Sequence, residues 1–447
     1  MGDFTMKDNQ ISLREKLSYG GGDAATCIIF GVTNAYLSYY YTDIAGISLA
    51  SVGIILAAGR LLEAGTNIFT GIGIDRSTSR FGKIKPFLYT TTFPMMLMFF
   101  ILFIIPDISQ QGKTVFAFVS YFLFCLFYAI NNTSYSTLLS MMTSNATERK
   151  IANNYRMTGC GLGGAIASFC TLPLVALIGS EGQYQFASTA LLYAIIGFIL
   201  LMNCSIVCKE RVKLQQEKIE FKQAIRCAVK SQSWIVLCLI CVFSYIANIL
   251  RSQSIIYYAK YCLGKESIAS ILLTMSTASM LITSPFLAKV NTKLGTQKSM
   301  FFGFSGYIIF TLGMYFSEDN IVLLILCTFL SSVCTNFASS PMYAFCSDTM
   351  DEVEYKTGTR PQGVMTSVMM CFAKIGIALA GIIFSQVLDM GGYVADAVQT
   401  PAAINAIHWN LFWIPILSMG ICLLLAFFYR LDKNHKRYVA ALEARNK

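Results

Sequence analysis

The sequence predicts an all-α membrane protein with twelve transmembrane helices in two six-helix, pseudo-symmetric bundles. Composition is the first ground: 55% of the 447 residues are hydrophobic and only 13% charged, where a soluble protein carries about 25% charge. Length is the second, since a span needs about 20 mainly apolar residues and runs of that length recur down the chain. The third is the charge of the connections, which alternates from one to the next.

The first six runs fall at 23–43, 47–72, 87–106, 114–142, 155–178 and 185–208, and the second six at 234–260, 266–289, 299–316, 320–345, 364–388 and 404–429. Connections on one side carry Lys7, Arg14 and Lys16, then Arg76, Arg80, Lys83 and Lys85, then Arg149 and Lys150, and so on to the basic tail. Those on the other side hold few cations, chiefly Lys113, Lys260 and Lys265, beside acids such as Asp107, Glu181 and Asp389. Cation-rich connections stay in the cytoplasm, so both termini are expected there, in a multi-pass protein of the plasma (inner) membrane. The net charge of +10 is read as this topology signal, and no nucleic-acid partner is expected. No cleavable signal peptide is expected, because residues 1–18 are polar and the first apolar run is long enough to span. The 15 Cys are scattered through apolar segments and read as small core side chains, so neither a disulfide framework nor a metal site is expected.

The longest hydrophilic connection divides the chain into an N-terminal bundle (1–208), a cytoplasmic amphipathic linker (209–232), a C-terminal bundle (233–430) and a cytoplasmic tail (431–447). A weak internal repeat agrees with this division. The second run leaves through DRSTSRFGK (75–83) and the eighth, second of its half, through KVNTKLGTQK (289–298), both basic and both with a Gly just before the next run. Repeated six-helix halves are the layout of major facilitator transporters, whose substrate site lies between the halves near the midplane.

Polar residues inside the runs are the candidate site, because an ionised group at the bilayer centre costs a few kcal/mol at least. Arg60, Glu63 and Asn67 share one face of the second run, with Thr66 beside them. Glu63 reads either as the structural partner of Arg60 one turn away or as a buried carboxylate that binds and releases a coupling proton; Thr66 and Asn67 add neutral oxygens that would complete a proton or Na⁺ site. Asp23 and Asn34 make a polar stripe on the first run; Asp23 either caps the helix after Gly20, Gly21 and Gly22 or accepts hydrogen bonds from a hydroxylated substrate. In the fourth run Asn131, Asn132, Thr133 and Ser134 serve either interhelical hydrogen bonding or a ligand. Arg156, Arg251 and Lys374 are isolated cations in apolar surroundings; Arg156 is also readable as interfacial, and Arg251 as half of a structural pair. The loop 348–363 mixes acids with Lys356 and Arg360, and pairing of Asp348 and Arg360 with Asp75, Arg76 and Arg80 would make a cytoplasmic gate.

Four stretches carry a resemblance: KLSYGGGDAA (16–25), YTDIAGIS (41–48), RLLEAGTNIFTGIGIDRSTSRFGKIKPF (60–87), and DTMDEVEYKTGTRPQG (348–363) with the later AKIG (373–376). They resemble the glycoside-pentoside-hexuronide:cation symporters, the melibiose permease family of the major facilitator superfamily, in both halves and in matching order. The resemblance implies the twelve-helix major facilitator fold and sugar uptake driven by H⁺, Na⁺ or Li⁺. It implies that Asp23 and Arg156 bind sugar and that Lys374 lies near the sugar and cation sites. It also exposes departures. The second-helix pattern keeps its first acid as Glu63 but has Asn67 for the second and Ile68 for a proline; Asn132 stands where sodium-coupled members have an aspartate, and Ser136 where they have a tryptophan. One remaining carboxylate suits a proton better than Na⁺, so the expected coupling ion is H⁺, with Na⁺ the alternative and no other cofactor.

The expected function is therefore symport of a sugar or glycoside, with a hexuronide or glucuronide among the candidates because Arg156, Arg251 and Lys374 outnumber Asp23 and Glu63. An uncoupled facilitator, a carrier of another amphiphilic solute and a non-transporting sensor are the alternatives. An enzyme is not expected: there is no nucleophile elbow and no HExxH, and the only His are His408 and His435. The expected partners are the sugar substrate and the lipid bilayer, around a monomer.

Overall fold

The computed structural model of the chain describes residues 11–77, 82–143, 145–179, 182–211, 221–317, 320–339, 342–359, 362–429, 431 and 437–438, a few side chains within them excepted. Every regular element among the described residues is helical. One compact unit, Met1–Gln216 with Ala395–Ala397, holds α1 (Leu13–Tyr39), α2 (Leu49–Arg76), α3 (Lys85–Ile101), α4 (Gln110–Met142), α5 (Ala146–Phe169), α6 (Thr171–Ile178) and α7 (Ala187–Val207). A second, Glu217–Val394 with Val398–Lys447, holds α8 (Phe221–Ala228), α9 (Gln232–Tyr257), α10 (Ser267–Leu294), α11 (Thr296–Tyr315), α12 (Ile321–Ser339), α13 (Met342–Thr357), α14 (Gln362–Met390), α15 (Pro401–His408) and α16 (Ile414–Phe428). Each apolar run falls on one of these helices or on a pair of them. Among the described residues seven helical spans are long and apolar enough to cross a membrane, or eight if the bent pair α5–α6 is one span. Polar Asp23 and Asn34, with a high content of Gly and Tyr, make α1 less apolar than those spans.

α1 begins ten residues before the expected run. Its N-cap is Ser12, whose hydroxyl accepts from the Glu15 amide at 3.3 Å while the Glu15 carboxylate accepts from the Ser12 amide at 3.0 Å. This reciprocal box satisfies two amides that a helix start leaves unpaired. Asp23 thus stands in the third turn of a running helix, which overturns the reading in which it caps a helix after Gly20–Gly22. Those glycines are contact points instead. A Cβ at Gly159 would collide with the Gly20 carbonyl, and one at Gly163 with the Ala24 carbonyl, so α1 and α5 meet backbone to backbone. Small residues at four-residue spacing are what lets membrane helices approach this closely. α5 ends in a 47° bend into α6. Pro173 supplies the cause, because it has no amide to offer the Phe169 carbonyl and its ring crowds that oxygen.

The basic connections of this unit are fastened by two acids. Glu15 holds Arg211 through both oxygens, at 2.9 and 3.0 Å, while the Arg211 amide donates to the Met141 carbonyl at 2.8 Å. The Glu210 carboxylate accepts from the amides of Lys83, Ile84 and Lys85 at 2.8, 3.0 and 3.0 Å, placing negative charge at the start of α3. Gly82, at φ +108°, leaves room for it: a Cβ there would stand 2.6 Å from a Glu210 oxygen.

The repeat is more detailed than the two basic loops. α1 and α9 each end in a π turn, Tyr40–Ile44 and Tyr258–Cys262. The amides of Ala45 and Ile47 donate to Tyr40 and Tyr41, and those of Leu263 and Lys265 to Tyr258 and Ala259, in the same offsets. Gly46 (φ +71°) and Gly264 (φ +65°) follow at the same position, and Gly82 and Gly295 (φ +80°) precede α3 and α11. A further π turn, Trp409–Trp413, joins α15 to α16.

Two sequence readings change here. Residues 348–357 are not loop but the second half of α13, where Glu352 and Lys356, one turn apart, pair at 2.6 Å. Within the expected linker, 221–228 are helical as α8, and 212–220 lie outside the described residues.

Gly163→Val would force a branched side chain into the Ala24 backbone, with an expected loss of about 1–3 kcal/mol, typical of overpacking; thermal unfolding in detergent measures it, and a melting temperature equal to wild type would contradict the backbone contact. Burial pushes the Glu15 carboxyl up, yet hydrogen bonds from Arg211 and from the Ser12 amide and hydroxyl outweigh it and hold the group below the usual carboxylate range. A depressed folded value means that the stabilisation is present above the unfolded value of about 4.3 and is lost as pH falls through the folded one. Glu15→Gln is therefore expected to melt lower than wild type at neutral pH, with the gap closing in acid; a gap independent of pH would contradict the assignment.

Candidate functional site

α2 carries the tightest ionic contact in the membrane portion of the first unit. Arg60 and Glu63 lie one turn apart, 3% and 0% exposed, with Nη1 and Oε2 at 2.8 Å. The second guanidinium nitrogen donates to Asn34 Oδ1 on α1 at 2.9 Å, and the group lies over the Phe30 ring at 5.3 Å. Gly59 lets α4 close the other side, since a Cβ there would overlap the Tyr121 ring. Of the two readings of Glu63, the ion pair with Arg60 is present. Asn67 Oδ1 accepts from Thr133 Oγ1 on α4 at 2.9 Å, and Thr66 is buried beside it.

Asp23 and Arg156 meet across the α1–α5 contact, but loosely. Oδ2 of Asp23 is 3.7 Å from Nε of Arg156, an ion pair beyond hydrogen-bond length, and among the described residues that Nε is buried and makes no hydrogen bond of ordinary geometry. A buried donor left unsatisfied calls for an explanation. Nearby, the rings of Tyr19 and Tyr135 stack at 4.8 Å, and Tyr135 donates through its hydroxyl to the Tyr19 carbonyl, fixing α1 against α4. Within its apolar runs, among the described residues, the first unit thus holds one closed acid–base pair and one open.

In the polar stretch of α4 the neighbours divide the work. Asn131 donates to Thr91 and Thr92 of α3 at 3.1 and 2.9 Å, which is interhelical bonding. Asn132 is half-buried and makes no side-chain hydrogen bond among the described residues. In the second unit Arg251, 4% exposed, donates to the Thr328 carbonyl at 3.0 Å and lies 5.5 Å from the Tyr307 ring, so it fastens α9 to α12 and α11. Lys374 is 8% exposed on α14, where Gly376 brings the helix against the α9 backbone at Val242. Of the expected gate, Asp348 lies half-buried on α13; Arg80 and Arg360, and the side chains of Asp75 and Arg76, lie outside the described residues.

The structure adds a pair that the sequence reading passed over. Cys27 and Cys160 come together with their sulfurs 3.0 Å apart, beside the Asp23 carboxylate. The signal was available: each lies four residues after a member of the Asp23–Arg156 pair, so pairing the charges brings the thiols together one turn on. Cys238 and Cys241 also stand in C-x-x-C spacing, but on α9 they are 2% and 3% exposed in apolar surroundings and serve as core.

The pattern of the MFS/sugar transport protein family matches residues 18–433. An uncharacterized symporter, YnaJ, of Bacillus subtilis (strain 168) is 32% identical over 98% of this chain and 96% of its own. The isoprimeverose transporter of Lactiplantibacillus pentosus is 29% identical over 98% and 93%. Among solved structures, the nucleoside transporter NupG superposes with a TM-score of 0.67 over 93% of this chain and 98% of its own; at 13% identity this likeness concerns the fold.

Arg60→Ala would strip Glu63 of its cation inside the membrane, with an expected cost of about 3–5 kcal/mol, as for breaking a buried pair from one side. Arg60→Leu combined with Glu63→Met should recover most of that loss in thermal unfolding. A double variant no more stable than Arg60→Ala would show that the two side chains are not an energetic unit.

Proposed function

The chain belongs to the MFS/sugar transport protein family, a family of membrane transporters rather than enzymes, and from that premise we propose that it takes up a sugar or glycoside by symport with H⁺ through alternating access. The observation that carries the substrate reading is the open Asp23–Arg156 pair. A hydroxyl placed beside the pair, off the line joining atoms 3.7 Å apart, would accept from Nε and donate to the carboxylate, so it would satisfy both groups at once. A sugar presents adjacent hydroxyls for this purpose, and a simple apolar solute presents none. That a relative is an isoprimeverose transporter accords with this reading.

The pairing also bears on the charge of the substrate. The case for an anion rests on counting Arg156, Arg251 and Lys374 against Asp23 and Glu63. With Asp23 set against Arg156, and Glu63 against Arg60, the membrane charges singled out in the first unit cancel. Arg251 is engaged with a carbonyl. Arg251 and Lys374 keep their charge in the second unit, so the balance admits a hexuronide as well as a neutral glycoside.

For coupling, a proton competes with Arg60 for Glu63. Proton binding would discharge the carboxylate and release Arg60, which stays hydrogen-bonded to Asn34 on the helix that carries Asp23. One lone pair of Asn67 Oδ1 already serves Thr133, which leaves the site poorer in free oxygens for Na⁺. The alternation of basic connections supports placement in the plasma membrane with both termini in the cytoplasm.

In vesicles under an imposed pH gradient, wild-type protein should concentrate a labelled neutral glycoside, whereas Glu63→Gln should retain exchange of substrate and lose concentration against a gradient. A Glu63→Gln protein that still accumulates substrate would overturn proton coupling through this residue. Asp23→Asn should lose binding in either mode.

A further inference from the structure

We propose that Cys27, Cys160 and Asp23 form a binding site for a thiophilic divalent cation of the Zn²⁺ class, seated between α1 and α5. The two sulfurs are 3.0 Å apart, and one ligand atom from each of the three residues lies within 4.8 Å of the others. The positions follow from the helix contact already described: Gly20 and Ala24 against Gly159 and Gly163 hold the two backbones close, and Cys27 and Cys160 each lie four residues beyond a member of the Asp23–Arg156 pair that meets across it. Cys27 follows Asp23 by one turn on the same helix, and this sets the carboxylate beside the thiols.

The donor set has the chemistry of such an ion. Two sulfurs and one oxygen suit Zn²⁺ or Cd²⁺, not a hard cation such as Na⁺, Mg²⁺ or Ca²⁺. With Zn–S near about 2.3 Å and tetrahedral angles, the sulfurs would stand roughly 3.7 Å apart, an opening of less than about 1 Å that side-chain rotation supplies. Three protein ligands leave a fourth position for water, as in open zinc sites. Binding releases one proton from each thiol, and the charge then balances: two thiolates and one carboxylate against a divalent ion and the neighbouring Arg156. Neither cysteine is fully buried. The pair Cys204 and Cys208, at 3.8 Å, is the instructive contrast, since both are buried and neither belongs to a carboxylate-containing ligand cluster among the described residues.

A bound ion would draw Asp23 away from Arg156, so it would compete with substrate; that consequence, unlike the site, rests on the transport reading above. Cd²⁺ added to the purified detergent-solubilised protein should give thiolate-to-metal charge-transfer absorption that saturates at one ion per chain. The Cys27→Ser/Cys160→Ser double variant should lose it at least tenfold in affinity, and Cys204→Ser/Cys208→Ser should keep it. Absorption unchanged in the first double variant would overturn the site. If that variant does not fold, wild-type protein decides: Zn²⁺ should protect Cys160 from alkylation by N-ethylmaleimide, read on the peptide by mass spectrometry, and equal labelling with and without Zn²⁺ would overturn the site. Uptake is a separate readout. Cd²⁺ bound to these cysteines with uptake unimpaired upholds the metal site and counts against the role of Asp23 in transport.

Discussion

A charge inside a bilayer must be answered by another charge or by well-placed dipoles, and the first unit is arranged around that requirement. Arg60 is the clearest case. Its guanidinium satisfies Glu63 on its own helix and takes a carbonyl oxygen from Asn34 on α1, so one cation ties two helices together. Around it the packing follows: Phe30 lies against the guanidinium, and Gly59 admits Tyr121. Removing the requirement would leave α2 an ordinary apolar span.

α1 is the element that touches both ionic pairs. Asn34 and Asp23 are eleven residues apart on it, or about 16 Å along the axis. At one end it is held to α2 by a short hydrogen bond, and at the other it faces α5 across glycines with a loose ion pair between them. A closed pair suits a switch that must be opened by a proton, and an open pair suits a ligand. The difference of about an ångström in their lengths, 2.8 against 3.7 Å, is the ground on which the two roles are proposed.

Much of this was legible in the sequence. The apolar runs fall on helices because burial in lipid leaves little freedom in composition, and Arg60 and Glu63 could be matched because they are one turn apart. The start of α1 was hidden, since Gly20–Gly22 look like a break when read as isolated residues. They are tolerated because neighbouring helices occupy the space side chains would take, α5 at Gly20 and α4 with α7 at Gly22. The helix at 348–357 was hidden by its charge, which is compatible with a solvated loop and equally with i,i+4 pairs such as Glu352–Lys356. The Cys27–Cys160 contact spans 133 residues, and only the helix pairing brings it about. The partner of Arg60 on α1 was invisible for the same reason: the stripe from Asp23 to Asn34 gave the face but not what faced it.

The π turns that end α1 and α9 bear on the origin of the chain. A π turn accommodates one extra residue in a helix, and it is uncommon enough that two at equivalent places invite a single explanation. Here the same backbone hydrogen bonds and a glycine in the left-handed region follow each one. Two halves built independently would have no reason to share an insertion at the same register. The shared turn, its hydrogen bonds and its glycine are what duplication of one ancestral unit would leave, with sequence free to drift where the backbone irregularity is kept.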